Sequence, residues 1–282
     1  MEVVDLTLGH SPDPDDAFMF YALAKGKFDT TPYRFRHILQ DIQTLNERAH
    51  REELDITAVS IHAFAYLTDK YSLLASGASM GDNYGPVLVG PRKFSREEIR
   101  KVRIAIPGKL TSAYLTLQLY LECPGEDLNL VVVPFDQIFE TVESGEADIG
   151  LLIHEGQLTW KERGMVASRD LGEWWFEITQ GLPLPLGGNV IRRSFPTGQK
   201  LEIATILKRS IEFSLTHRKA AVAHALPLGR GLDEGMADQF IGMYVNGLTV
   251  DYGERGRTGV REFLGRGHAA GLIPEIEVEF IG

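Results

Sequence analysis

The order of strand and helix signals predicts an α/β protein of two lobes, each built on an open sheet, with a hinge and a cleft between them. Three observations carry this. Strand-like runs alternate with helical runs, the pattern of β-α-β units with parallel pairing. The order strand–helix–strand–helix–strand near the N-terminus recurs from Val102, where "REELDITAVSIHAF" and "SGEADIGLLIHEG" read alike. Two segments rich in Gly and Pro, "GDNYGPVLVGPRKFSREEIRK" and "GLPLPLGGNVIRRSF", read as crossings between the repeats. The expected division is 1–90 with 189–282 for lobe one, and 91–188 for lobe two.

Strands are expected over Val3–Leu8, Tyr33–Leu39, Asp55–Ser60, Val102–Pro107, Leu128–Pro134 and Ala147–Ile153, where β-branched and other apolar residues dominate. Helices are expected over Pro14–Ala24, Ile42–Arg51, Ile61–Thr68, Ser112–Leu121 and Gln137–Ser144. Beyond the second crossing the chain is mostly helical, over Gly198–Thr216, Arg218–Ala225, Asp233–Asn246 and Glu254–Ala270, and these runs complete lobe one. In open α/β sheets ligands bind beyond the carboxyl ends of the strands. Each strand's last residue and the first turn after it are therefore the positions to read for function.

Composition narrows the ligand. The chain has 282 residues, 44% hydrophobic and 24% charged, enough for two small domains or one large one. A formal net charge of -10 without a basic run argues against nucleic acid and against an anionic membrane surface. A small carboxylate ligand stays open, because local backbone donors hold an anion whatever the net charge. Cys123 is the single cysteine, so no internal disulfide can form, and it is expected as a buried or half-buried thiol at a helix end. Neither HExxH nor an EF-hand pattern occurs, and no metal is expected. No GxSxG elbow, GxGxxG or P-loop occurs either. Met1 leads into an alternating strand and no apolar run reaches spanning length, so the expectation is a cytoplasmic protein. A homodimer is left open.

The stretch "GHSPDPDDAFMF" crowds Asp13, Asp15 and Asp16 at a helix start. Asp13 reads as N-cap, Pro14 as first helical residue, and the other two acids as favourable in the first turn. Three acids exceed what a cap needs, so a second reading has them accept hydrogen bonds from a ligand's hydroxyls. In "IPGKLTSAYLTL", Thr111 and Ser112 open a helix with no acid in its first turn. That is either a Thr N-cap or an anion site of N–H groups and hydroxyls. Ser60 ends a strand and Asp41 precedes Thr44 by three, both capping patterns. His154 in "ADIGLLIHEGQLTW" follows a strongly apolar strand, in the second lobe and facing the first. Histidine suits proton transfer near neutral pH. His10 and His62 also lie near strand ends, whereas His37, His50, His217, His224 and His268 are expected at the surface. Trp174 and Trp175 either wall an aromatic ligand or pack a helix under the second crossing.

"SPDPDDAFMFYAL", "ILQDIQTLN", "PGKLTSAYLTL", "LLIHEGQLTW" and "DLGEWWFEITQGLPLPLGG" together resemble the 1,4-dihydroxy-6-naphthoate synthase family of the futalosine route to menaquinone. The likeness runs from Val3 to about Asn189 and is weaker in the tail, at "YVNGLTVDYGERG". It implies a periplasmic-binding-protein-like fold of type II. It implies a lyase step that converts cyclic dehypoxanthinylfutalosine to 1,4-dihydroxy-6-naphthoate and dihydroxyacetone, without a redox cofactor. The family's general base corresponds to His154. Positions lining its ligand site correspond to Asp16, Asp41, Ser60, Thr111 and Ser112. On this mapping Thr111 and Ser112 hold the substrate carboxylate, and Asp16, together with either Asp15 or Ser11, takes the sugar-derived hydroxyls.

The family's common opening is SPCPNDTF, so Asp13 stands for Cys, Asp15 for Asn and Ala17 for Thr, which leaves fine substrate choice open. Two alternatives share the fold: chorismate dehydratase of the same pathway, and a binding protein for a small anion without catalysis. The motifs "IHEGQLTW" and "LPLPLG" favour the naphthoate synthase family, and a mere binder has no need of His154.

Overall fold

The computed structural model describes residues 3–229 and 232–282. Twelve strands occur among them: β1 Val4–His10, β2 Tyr33–Leu39, β3 Ile56–Ser60, β4 Tyr71–Leu74, β5 Ser79–Gly81, β6 Val87–Gly90, β7 Ile104–Ile106, β8 Leu130–Val132, β9 Ile149–Leu152, β10 Val166–Asp170, β11 Leu184–Arg192 and β12 Phe280–Ile281. They form two sheets. The first has the order β12-β4-β11-β3-β1-β2, with β5 also paired to β11; the second has the order β10-β6-β9-β7-β8.

Burial follows position in each sheet. Every residue of β3 and of β9 is buried, as expected for strands with both faces covered. At the edge, β2 runs parallel to β1, with Val4 opposite Tyr33 and His10 opposite Leu39, and most of its residues are partly or fully exposed. In the second sheet β7 pairs in parallel with β8 and β9, so both halves of the chain contain the parallel units that the alternation predicted.

The crossings differ from expectation in an informative way. Each contains a strand of one of the sheets. β6 is antiparallel to β9 and β10 and belongs to the second sheet, although 87–90 was expected in lobe one. β11 is antiparallel to β3, β4 and β5 and belongs to the first sheet from Leu184, ahead of the expected boundary at 189. Pairing satisfies the backbone groups of a segment that would otherwise bury them unbonded. Pro185 lacks an N–H and is accommodated where the β11–β5 register shifts between Pro185 and Gly187.

The expected helix Pro14–Ala24 is broken at Phe20 into Pro14–Met19 and Tyr21–Ala24. Ile61–Phe64 is shorter than expected, while Ser112–Leu121 matches. The late helices are Thr197–Thr216, Arg218–Ala225, Glu234–Tyr244 and Gly253–Ala269. Ile203, Leu207 and Ile211 of the first of these pack with Leu6, Leu8, Phe18 and Phe20, so this helix shares a core with β1. The second lobe has its own core around Ile104, Ile106, Leu117, Ile149 and Leu151. Among the described residues no helix is long and apolar enough to cross a membrane.

Candidate active site

A cavity of about 720 Å³, counted with its solvent-facing mouth, opens at the carboxyl ends of β1, β3 and β9. Its walls come from both lobes. Ser11, Asp13, Asp15, Asp16 and Ser60 line it from the first, and Thr111, Ser112, Ile153 and His154 from the second. Of the residues singled out in the sequence, eight converge here: Ser11, Asp13, Asp15, Asp16, Ser60, Thr111, Ser112 and His154. Asp41 does not line it: it is exposed, accepts from the Thr44 backbone N–H at 3.0 Å and caps Ile42–His50.

The acidic stretch resolves into three separate jobs. Asp13 has the extended backbone of an N-cap, yet its side chain caps nothing. Its Oδ2 accepts from the Ser11 hydroxyl and lies 3.2 Å from His154 Nδ1 on the opposite lobe. Asp15 accepts from the Ser79 hydroxyl at 3.3 Å. Asp16 accepts from the Ser11 backbone N–H at 2.7 Å. Burial, and next the charge of Asp13, push the Asp15 carboxyl up to about 6. Asp16 is raised well above the usual carboxylate range, first by burial and then by Asp15.

His154 sits where the apolar strand β9 ends, with φ 53°, a left-handed backbone. The Phe135 ring meets its face at 4.6 Å between centroids and 60° between planes. Nδ1 faces Asp13, while the buried Nε2 has no hydrogen-bond partner.

The anion site differs in detail from expectation. The Thr111 hydroxyl donates to the Gly108 carbonyl at 2.9 Å and accepts from the Tyr114 N–H, the expected N-cap. The Ser112 hydroxyl donates to the Leu186 carbonyl at 2.6 Å and accepts from the His62 N–H at 3.2 Å. Both hydroxyls are thus committed within the protein. What the start of Ser112–Leu121 offers a ligand is the backbone N–H groups of Ser112 and Ala113, which have no acceptor within the helix. Ser60 accepts from Asn46 Nδ2 at 3.0 Å and does not cap the helix after it, so its own O–H remains available to the cavity it lines.

Several contributors carried no sequence signal. Ser79, Gln157, Phe240 and Tyr244 also line the cavity, and the Tyr244 hydroxyl donates to Gln157 Oε1 across the lobes. Asp13 was visible as a cap but not as the partner of His154. His37, expected at the surface, is half-buried and places Nδ1 2.9 Å from Nε2 of the buried His10. Burial and then His37 push His10 down to about 4. The tryptophans pack a helix and do not line this cavity: the fully buried Trp175 donates to the Pro183 carbonyl at 3.1 Å, and Trp174 meets Tyr120 edge-on. Cys123 is half-buried, as expected. Among the described residues no group of three or more His, Cys, Asp and Glu side chains is placed to hold a metal ion.

With the geometry in place, comparison with known proteins is decisive for the family. Residues 6–269 match the family model described as menaquinone biosynthesis. The chain belongs to that family. A curated member from Thermus thermophilus, named 1,4-dihydroxy-6-naphthoate synthase, is 35% identical over 269 residues, covering 95% of each chain. One from Streptomyces coelicolor with the same name is 34% identical over 278 residues, covering 98% of this chain and 97% of its own. The crystal structure of protein AF1704 from Archaeoglobus fulgidus superposes with a TM-score of 0.90 at 42% identity, covering 95% of this chain and 98% of that one. The alkanesulfonate-binding protein SsuA from Xanthomonas axonopodis pv. citri, crystallised with MOPS, has a TM-score of 0.70 at 12% identity and covers 98% and 96% of the two chains. That last likeness shows the fold alone, and the fold of this family member is periplasmic-binding-protein-like, as the sequence resemblance implied.

Proposed function

We propose that the protein is a carbon–carbon lyase that converts cyclic dehypoxanthinylfutalosine to 1,4-dihydroxy-6-naphthoate and dihydroxyacetone, with His154 as general base. The observation that carries this reading is the His154 ring in the interlobe cavity, its Nδ1 engaged and its buried Nε2 unengaged. A base needs an unprotonated nitrogen within reach of the substrate, and an engaged second nitrogen selects that tautomer. The names carried by the two full-length relatives supply the product.

In this reading the substrate carboxylate lies against the N–H groups of Ser112 and Ala113. Asp15 and Asp16 accept hydrogen bonds from the sugar-derived hydroxyls, and Ser60 donates one. Nε2 removes a proton beside the spiro carbon–carbon bond, and aromatisation of the second ring drives cleavage. Walls from both lobes keep water from the reacting carbon.

The test is to incubate the protein and His154→Ala with cyclic dehypoxanthinylfutalosine and follow the naphthoate by absorbance and mass. Turnover by the wild type, lost in the variant while ligand still binds, supports the reading. Binding without turnover by either moves the protein to the non-catalytic binders of small anions. Turnover of chorismate in place of the futalosine derivative moves it to the dehydratase.

A further inference from the structure

We propose that Asp13 is a positioning residue of this site: held by Ser11, its carboxylate fixes the His154 ring across the cleft with Nδ1 protonated and Nε2 bare toward the substrate. This rests on His154 as the base. Four observations meet in it.

Asp13 occupies an N-cap position and forgoes capping. Its side chain is 1% exposed, and a carboxylate buried that deeply needs donors. Its donors among the described residues include the Ser11 hydroxyl and His154 Nδ1, one from each lobe. An ionised carboxylate only accepts, so the nitrogen facing it carries the hydrogen, and the other nitrogen of the neutral ring holds the lone pair. Phe135 packs against the ring from its own lobe, which leaves the ring little freedom to turn over.

Among the described residues the charges facing His154 include Asp13 and Asp15 from the first lobe; Glu155 is its chain neighbour. Asp15 is spent on Ser79 and does not bond the ring. When Nε2 takes a proton, the electron pair of the broken C–H bond stays on the substrate. The ring becomes a cation, and the Asp13 carboxylate opposite offsets that charge. No further reactant is required. Because the two residues belong to different lobes, the base is complete only when the lobes are together, which ties proton removal to closure on the substrate.

The test uses Asp13→Asn, which keeps the size and removes the charge. The expected result is a fall in kcat on the order of 100-fold, the scale of losing a partner that orients a histidine, with KM changed by no more than about threefold. The acid limb of the kcat profile is expected to differ between variant and wild type, because the charge opposite the ring is gone. A merely structural Asp13 would move neither the limb nor the split between kcat and KM. The second measurement is the 15N spectrum of the imidazoles in substrate-free wild type, which requires no activity and no variant. It is expected to show His154 protonated at Nδ1 and bare at Nε2. A His154 protonated at Nε2, or an Asp13→Asn protein with unchanged kcat and pH profile, overturns the proposal. If the wild type turns over no futalosine derivative, the function reading fails, and the nitrogen spectrum still decides whether Asp13 sets the tautomer.

Discussion

The His62 ring Nδ1 lies 3.1 Å from the Thr111 backbone carbonyl, and the contact joins the first lobe to the second. The backbone N–H of His62 reaches the Ser112 hydroxyl at 3.2 Å, so one residue makes two interlobe ties beside the anion site. Burial pushes the imidazole down to about 4, so it is neutral near pH 7 and donates through Nδ1. His62→Leu removes the ring bond and leaves the N–H bond. A net loss of about 1 kcal/mol from the closed form is expected. Steady-state kinetics should show KM raised about fivefold with kcat nearly unchanged, since the ring is remote from proton transfer. An unaltered KM would show that closure does not depend on this tie.

Asp15 gives a stability prediction whose sign is opposite to that of most carboxylates. Its ordinary value is 3.8 and it is pushed up to about 6. Between those values the folded protein binds more protons than the unfolded chain, so stability falls as pH rises through the window and stays reduced above it. Asp15→Asn removes the charge and retains an acceptor for Ser79. The variant should exceed the wild type by up to roughly 3 kcal/mol at about pH 7.5 and match it near pH 4. His10 and His62 titrate in the opposite sense, but they are common to both proteins and cancel in the difference. Urea unfolding at the two pH values measures this. A variant less stable at the higher pH would mean that the site welcomes the charge.

Trp175 is a packing residue and Trp174 a lesser one, which separates stability from function. Trp175 is fully buried against Phe263 and donates to Pro183. Its truncation to Ala should cost about 3–5 kcal/mol and lower Tm by about 10 °C. Trp174→Ala should cost roughly 1 kcal/mol, the scale of a lost aromatic pair. Neither lines the cavity, so KM should hold in both at a temperature where each is folded. Thermal melts beside kinetics check it, and a raised KM in Trp174→Ala would return the aromatic-wall reading.

What was legible in the sequence was what local chemistry decides. β3 and β9 announced themselves because a strand buried on both faces must be apolar throughout. Their carboxyl ends then pointed to Ser60 and His154. β4, β5, β10 and β12 were missed because two to five residues are too few to display a period. The crossings were not assigned strands because Gly and Pro argue against a strand, and only a partner sheet outweighs that. Asp41, named through family likeness, turned out to hold Thr44 and not the cavity, since an acid before a helix satisfies its nearest donors first. The pair Asp13–His154 joins residues far apart in sequence, and no local rule connects them.

Tyr244 extends the same logic to the helical tail. Its hydroxyl, buried in the cavity wall, donates to Gln157 Oε1 on the other lobe. Tyr244→Phe keeps the ring packed on Phe240 and leaves the Gln157 oxygen short of its donor, at about 1–3 kcal/mol. That cost falls on the closed form, where the two lobes meet, and hardly on the separated lobes. KM should rise about five- to 150-fold by the same arithmetic, while the melting temperature of the ligand-free protein moves little. The His62 ties and the Tyr244 tie lie on different elements, yet both hold one closure equilibrium. The double variant should therefore lose the sum of the two free energies in apparent affinity. A double variant no worse than the weaker single one would mean that the two ties act only together, so that losing either already forfeits both.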